Sequence, residues 1–79
     1  MIKSLFTKED SAFKNLTDRE WQIVTLLNKG HRTVEIASEL NIKPNTVSTI
    51  KKNAFFKLNI NNILELHKLS FKAGLLNLE

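Results

Sequence analysis

From Leu16 onward, apolar residues recur every three or four positions, the period of a helix with one buried side. Trp21, Val24 and Leu27 form one stripe, with Ile23 and Leu26 beside it. Thr17-Asp18-Arg19-Glu20 has capping-box spacing: a threonine oxygen accepts from the Glu20 amide while Glu20 reaches back to the Thr17 amide. Leu16 and Trp21 occupy hydrophobic-staple positions around that start. Asn28-Lys29-Gly30 supplies a stop, glycine taking the left-handed conformation that ends many helices. A second, shorter helix is predicted from about Thr33 to Leu40, burying Ile36, Ala37 and Leu40, with Asn41 as a left-handed turn residue. Ile42 and Lys43 then lead to Pro44, well suited to the first position of a third helix running to Leu58.

At 100° per residue this third helix divides into two faces. Val47, Ile50, Ala54 and Leu58 fall in a core-facing arc, and Asn45, Ser48, Thr49 and Lys52 lie opposite. Phe55 sits at the edge of the core arc and is expected inside. Phe56 falls on the outer side, where it rests under the amino-terminal arm, whose Leu5, Phe6 and Phe13 need shelter, or meets a partner. A fourth helix is expected from about Asn62 to Ala73, with Glu65, Lys68 and Lys72 crowded into roughly 60° of the wheel. Ile63, Leu66 and Leu69 form its core stripe. Leu64, His67 and Phe71 form a second side, read as a dimer interface; the alternative is that Leu75-Leu76-Asn77-Leu78 folds back over them. No stretch alternates with a period of two. The expectation is an all-α, four-helix helix-turn-helix bundle over residues 16–79, behind an irregular amino-terminal arm or linker over residues 1–15.

Seventy-nine residues make one domain, and a chain of this size buries only about 60% of its unfolded surface. Cysteine is absent, so neither disulfides nor thiolate metal sites contribute. No apolar run approaches the ~20 residues needed to cross a bilayer, and the amino end has no apolar stretch of signal-peptide type. A cytoplasmic domain, or a fragment of a longer protein beginning near its linker, is expected. The formal charge of +4 is localised. Bases and acids cancel over residues 1–42 and again over residues 58–79, leaving Lys43, Lys51, Lys52 and Lys57 with no acid among them. A basic block on one predicted helix is the footprint of a polyanion partner, although lysine runs are also ordinary solvated faces. His31 and His67 have no nucleophile or acid at catalytic spacing, and neither a glycine-rich phosphate loop nor a carboxylate cluster is present. No enzyme, cofactor, metal or small-molecule ligand is expected.

The stretch LTDREWQIVTLLNKGHRTVEIASELNIKPNTVSTIKKNAFFKLNI resembles the LuxR/FixJ/GerE-type DNA-binding domains of bacterial regulators. The matching positions are Leu16, Thr17, Arg19, Glu20, Gly30, Glu35, Ile36, Ala37, Leu40, Ile42, Thr46, Val47, Asn53, Lys57 and Leu58. Each short motif is weak alone; their order and spacing together are specific. The resemblance implies a four-helix domain whose third helix enters the major groove of double-stranded DNA and whose fourth dimerises, in regulators that recruit or block RNA polymerase. By motif position, Ser48, Thr49 and Lys52 would meet base edges, with phosphate contacts from Lys43, Asn45, Thr46 and Lys51. Arg32 stands where serine usually caps the second helix, leaving Thr33 as the substitute, and Val34 replaces a frequent lysine. Lys43 replaces the serine that caps the third helix, and Ile50 replaces a histidine and should join the core. Ile63 stands where an arginine is frequent, so an ion pair common in the family is expected to be missing. Two rival readings are a sigma-factor-like promoter-reading domain and a protein-interaction module, a co-regulator or anti-regulator on the same fold. The interval from Glu20 to Glu35 fits the regulator pattern better than the sigma pattern, which is one residue longer.

Overall fold

A computed structural model describes residues 12–72, which form a 3-10 turn at Ala12–Asn15 followed by four helices: α1 (Asp18–Asn28), α2 (Thr33–Leu40), α3 (Pro44–Leu58) and α4 (Ile63–Lys72). The described residues contain no strand. The all-helical expectation holds, and α2 and α3 begin and end at the residues their patterns indicate.

α1 starts with the capping box that its sequence spells. Thr17 Oγ1 accepts from the Glu20 amide at 3.1 Å, and the Thr17 amide donates to Glu20 Oε1 at 2.9 Å. Leu16 is buried, and the partly buried Trp21 meets the Phe13 ring edge-on, centroids 5.5 Å apart. Phe13, placed in the arm by its sequence context, is fully buried and belongs to the core. It therefore does not cover Phe56, while Leu5 and Phe6 lie outside the described residues.

Three helices end by one device. The amides of Gly30 and His31 donate back to the carbonyls of Leu27 and Leu26; those of Asn41 and Ile42 to Ser38 and Ala37; those of Asn59 and Ile60 to Phe56 and Phe55. Each is the Schellman arrangement, which requires one residue at positive φ. Gly30, Asn41 and Asn59 take that conformation, at φ 92°, 60° and 59°. Glycine and asparagine tolerate it best, so these stops were readable from residue type.

Helix starts are less uniform. At α2 the expected cap, Thr33, is instead the first helical residue, and Arg32 holds the cap position with no side-chain cap bond. A guanidinium has no acceptor, so only half a capping box forms: Glu35 Oε1 accepts from the Arg32 amide at 2.7 Å. α3 begins at Pro44 behind Lys43, again without a side-chain cap bond, the weak start its sequence implied. α4 is better anchored, since Asn62 Oδ1 accepts from the Glu65 amide and Glu65 Oε1 accepts from the Asn61 amide.

The core joins Phe13, Leu16, Ile23, Val24, Leu27, Ile36, Ala37, Val47, Ala54, Phe55, Leu58 and Leu66. α3 packs against both α1 and α2, while α4 lies on α1. Ile50 packs against the core from its rim, and Phe55 is inside as its register indicated. On α4, Leu66 is buried and Leu69 partly so, but Ile63 is 41% exposed, contrary to its place in the expected core stripe. Its angle on the wheel suits the core; its axial position does not. It is the first residue of the helix, beside the end of α3. Ser70 takes a core position instead, fully buried, its Oγ accepting from Asn28 Nδ2 at 2.9 Å.

Candidate nucleic-acid interface

The outer face of α3 carries the residues singled out by pattern. Asn45, Thr46, Ser48, Thr49 and Lys52 are exposed, as is Lys43 just before the helix, and Lys51 is partly exposed. All seven expected contact residues therefore lie on or immediately before one helix, which α1 and α2 hold from behind through Val47 and Ala54. No residue of α3 is acidic.

Two of these side chains are already oriented. Thr49 Oγ1 donates to the Asn45 carbonyl at 3.1 Å, one turn back along the helix. Lys51 Nζ stands over the Phe55 ring, 5.6 Å from its centroid, so its stem lies along the protein while its charge stays outside. A groove beside the basic face is lined by Ser48, Lys51, Lys52, Phe55, Phe56, Ile60, Asn61, Asn62 and Ile63, again with no acid.

Lys57 does not belong to this face. Its Nζ donates to Glu20 Oε1 at 2.8 Å, joining α3 to the capping box of α1. The block of four unopposed lysines is thus three, Lys43, Lys51 and Lys52, plus one internal ion pair. Sequence reasoning missed this because Glu20 and Lys57 stand 37 residues apart. The available signal was that Glu20 follows the capping threonine at a position facing the core.

Glu20 is buried, and burial works to raise its pKa. The hydrogen bonds from Lys57 and Thr17, together with the Lys57 charge, outweigh that cost and hold the carboxyl below its usual 4.5. A depressed folded-state pKa stabilises above the unfolded value and is lost as pH falls through the folded one. Stability from this carboxylate is therefore full above about pH 4.5 and declines below it. Urea melts at stepped pH should show the wild-type midpoint falling faster below pH 4.5 than that of Glu20→Gln. Parallel pH curves for the two proteins would contradict this role.

On α4, Leu64 and Phe71 are 59% and 54% exposed. His67, expected beside them, is only partly exposed, and its Nδ1 lies 3.1 Å from Asn28 Oδ1. Asn28 therefore ties both His67 and Ser70 to α1. Nothing in the period of α4 announced this link. Elsewhere, His31 Nε2 lies 3.7 Å from Glu39, beside an open pocket lined by Lys29, Val34, Glu35 and Ser38. Among the described residues, no cluster of histidine and carboxylate could hold a metal ion, and no helix is long and apolar enough to cross a membrane.

A short helix, a tight turn through a left-handed asparagine, and a longer helix with an uncovered basic face define a helix-turn-helix module. The chain belongs to the GerE family, described as bacterial regulatory proteins of the luxR family, which matches residues 14–70. It is 40% identical over 72 residues to the response regulator UvrY of Escherichia coli K12, a match covering 91% of this chain and 33% of UvrY. It is 33% identical over 70 residues to the response regulator GacA of Pseudomonas aeruginosa, covering 89% of this chain and 33% of GacA. It is also 43% identical over 47 residues to the transcriptional regulator MalT of Vibrio cholerae, covering 60% of this chain and 5% of MalT. The chain thus spans about a third of the length of the response regulators it matches. No solved structure gives a significant match.

Proposed function

We propose that this chain is the DNA-reading part of a transcription regulator, with α3 in the major groove. The observation that carries this reading is the outer face of α3: exposed, without an acid, and flanked by three lysines free of the internal ion pair. Ser48, Thr49 and Lys52 face base edges, lysine suiting guanine and the two hydroxyls short-range contacts. Lys43, Lys51, Asn45 and Thr46 meet phosphates, and the uncapped amino end of α3 adds amides and a favourable dipole near the backbone. Two copies bind together through Leu64 and Phe71, with His67 at the edge of that surface. Once on a promoter, the regulator recruits or blocks RNA polymerase. The relatives, two response regulators and a transcriptional regulator, agree with this reading.

A selection on random duplex DNA tests it. Enrichment of one sequence, with two half-sites about one helical turn apart, is expected. Failure to enrich any sequence, together with capture of a regulator protein, would favour the interaction-module reading on the same fold.

A further inference from the structure

We propose that Phe56 extends the reading face, and that Phe56 and the Thr49 methyl select thymine through its 5-methyl group. This rests on the DNA-reading function proposed above and names the base chemistry that the same face selects.

Asn45, Thr49, Lys52 and Phe56 are spaced four, three and four residues apart. At 100° per residue they fall within about 60° of one another, on the side opposite Val47, Ala54 and Leu58. Phe56 is thus the last member of the stripe that carries the polar readers. It is 86% exposed, more than any other aromatic residue among the described ones. An aromatic ring in that register, on a helix whose Lys51 and Lys52 stand outside the internal ion pair and which carries no acid, calls for a partner both anionic and apolar in places. DNA meets both requirements, because the major groove displays one apolar group between its phosphate strands, the thymine methyl.

Thr49 points the same way by a different route. In the unbound protein its hydroxyl donates to the Asn45 carbonyl. What it offers outward is a methyl and lone pairs. Seven residues separate Thr49 from Phe56, about 10 Å along the helix, so the two apolar contacts address different base pairs, with Lys52 between them. An acidic protein segment lying on Lys52 and Phe56 is the competing occupant.

The test uses the enriched duplex with each thymine replaced singly by deoxyuridine, which deletes only the methyl. Wild-type affinity should fall about fourfold at two positions of each half-site, the value of one buried methyl. Phe56→Ala should lose the sensitivity at one position, and Thr49→Ser, which keeps the hydroxyl, at the other. Phe56 is exposed, so its replacement should leave the melting temperature unchanged. Wild-type binding indifferent to deoxyuridine, or variants that keep the full wild-type pattern of sensitivity, would overturn this proposal and leave DNA reading standing. Absence of any duplex binding by the wild type would overturn both. Phe56→Ala that keeps every duplex property but loses an acidic protein partner would assign the ring to that partner and overturn the thymine reading.

Discussion

Replacing Lys52 with glutamate is expected to abolish specific duplex binding while leaving the fold intact. Lys52 is exposed, lies in the outer stripe of α3, and is the only long side chain among the three residues proposed to meet base edges. None of the ion pairs described here involves it. Losing a good base contact removes about 1–3 kcal/mol, and a dimer loses it twice. The new carboxylate also faces phosphates. Together these should weaken binding roughly a thousandfold, whereas an exposed substitution shifts stability by no more than about 0.5 kcal/mol. Lys57→Met provides the contrast. It leaves Glu20 buried without its cation, so it should lower stability and leave the reading face in place. Equilibrium titration and thermal melts of the two variants separate these roles. Equal loss of DNA affinity without any change in melting would place both lysines on the interface.

The second large effect is structural. Ile36→Ala should remove a large share of the domain's stability. Ile36 is fully buried on α2, the helix that, with α1, supports α3 from behind. Truncating a buried isoleucine costs about 2–5 kcal/mol through lost burial and the cavity left behind. A domain of 79 residues commands in all about 4–12 kcal/mol, so one side chain is a large share of the total. Urea unfolding should show a midpoint shifted far down, or no cooperative transition. A variant with the wild-type midpoint would show that α2 is not packed on α3 as described. DNA affinity should fall with the folded fraction.

What the sequence disclosed and what it withheld divide along a physical line. Features set by neighbours within one turn were legible. The Thr17–Glu20 box, the left-handed Gly30 and Asn41, Pro44 opening α3, and Phe55 facing inward all follow from local geometry. Lys57 was counted with the interface because its partner lies on another helix, 37 residues away. Ser70 had no place in the core stripe read from the period of α4, yet Asn28 offsets the cost of its burial by a hydrogen bond across 42 residues. Ile63 failed for another reason. A helical wheel records angle and ignores position along the axis, and the first residue of α4 extends past the core. At α2, Thr33 has a capping side chain but lies one residue inside the helix, and the glutamate that completes half a box belongs to Arg32. The candidate site itself was legible because it occupies a single helix, where residue spacing decides which side chains share a face.

The salt dependence of binding to the selected duplex tests the central claim most directly. Each copy brings three lysines to this face, Lys43, Lys51 and Lys52, so the proposed dimer displaces counterions from about six phosphates, and log affinity should fall with log salt at a slope near −5. Lys51→Ala should make that slope shallower by about two, one contact from each copy. A slope near zero, or one that Lys51→Ala leaves unchanged, would contradict the assignment of α3 to the DNA surface.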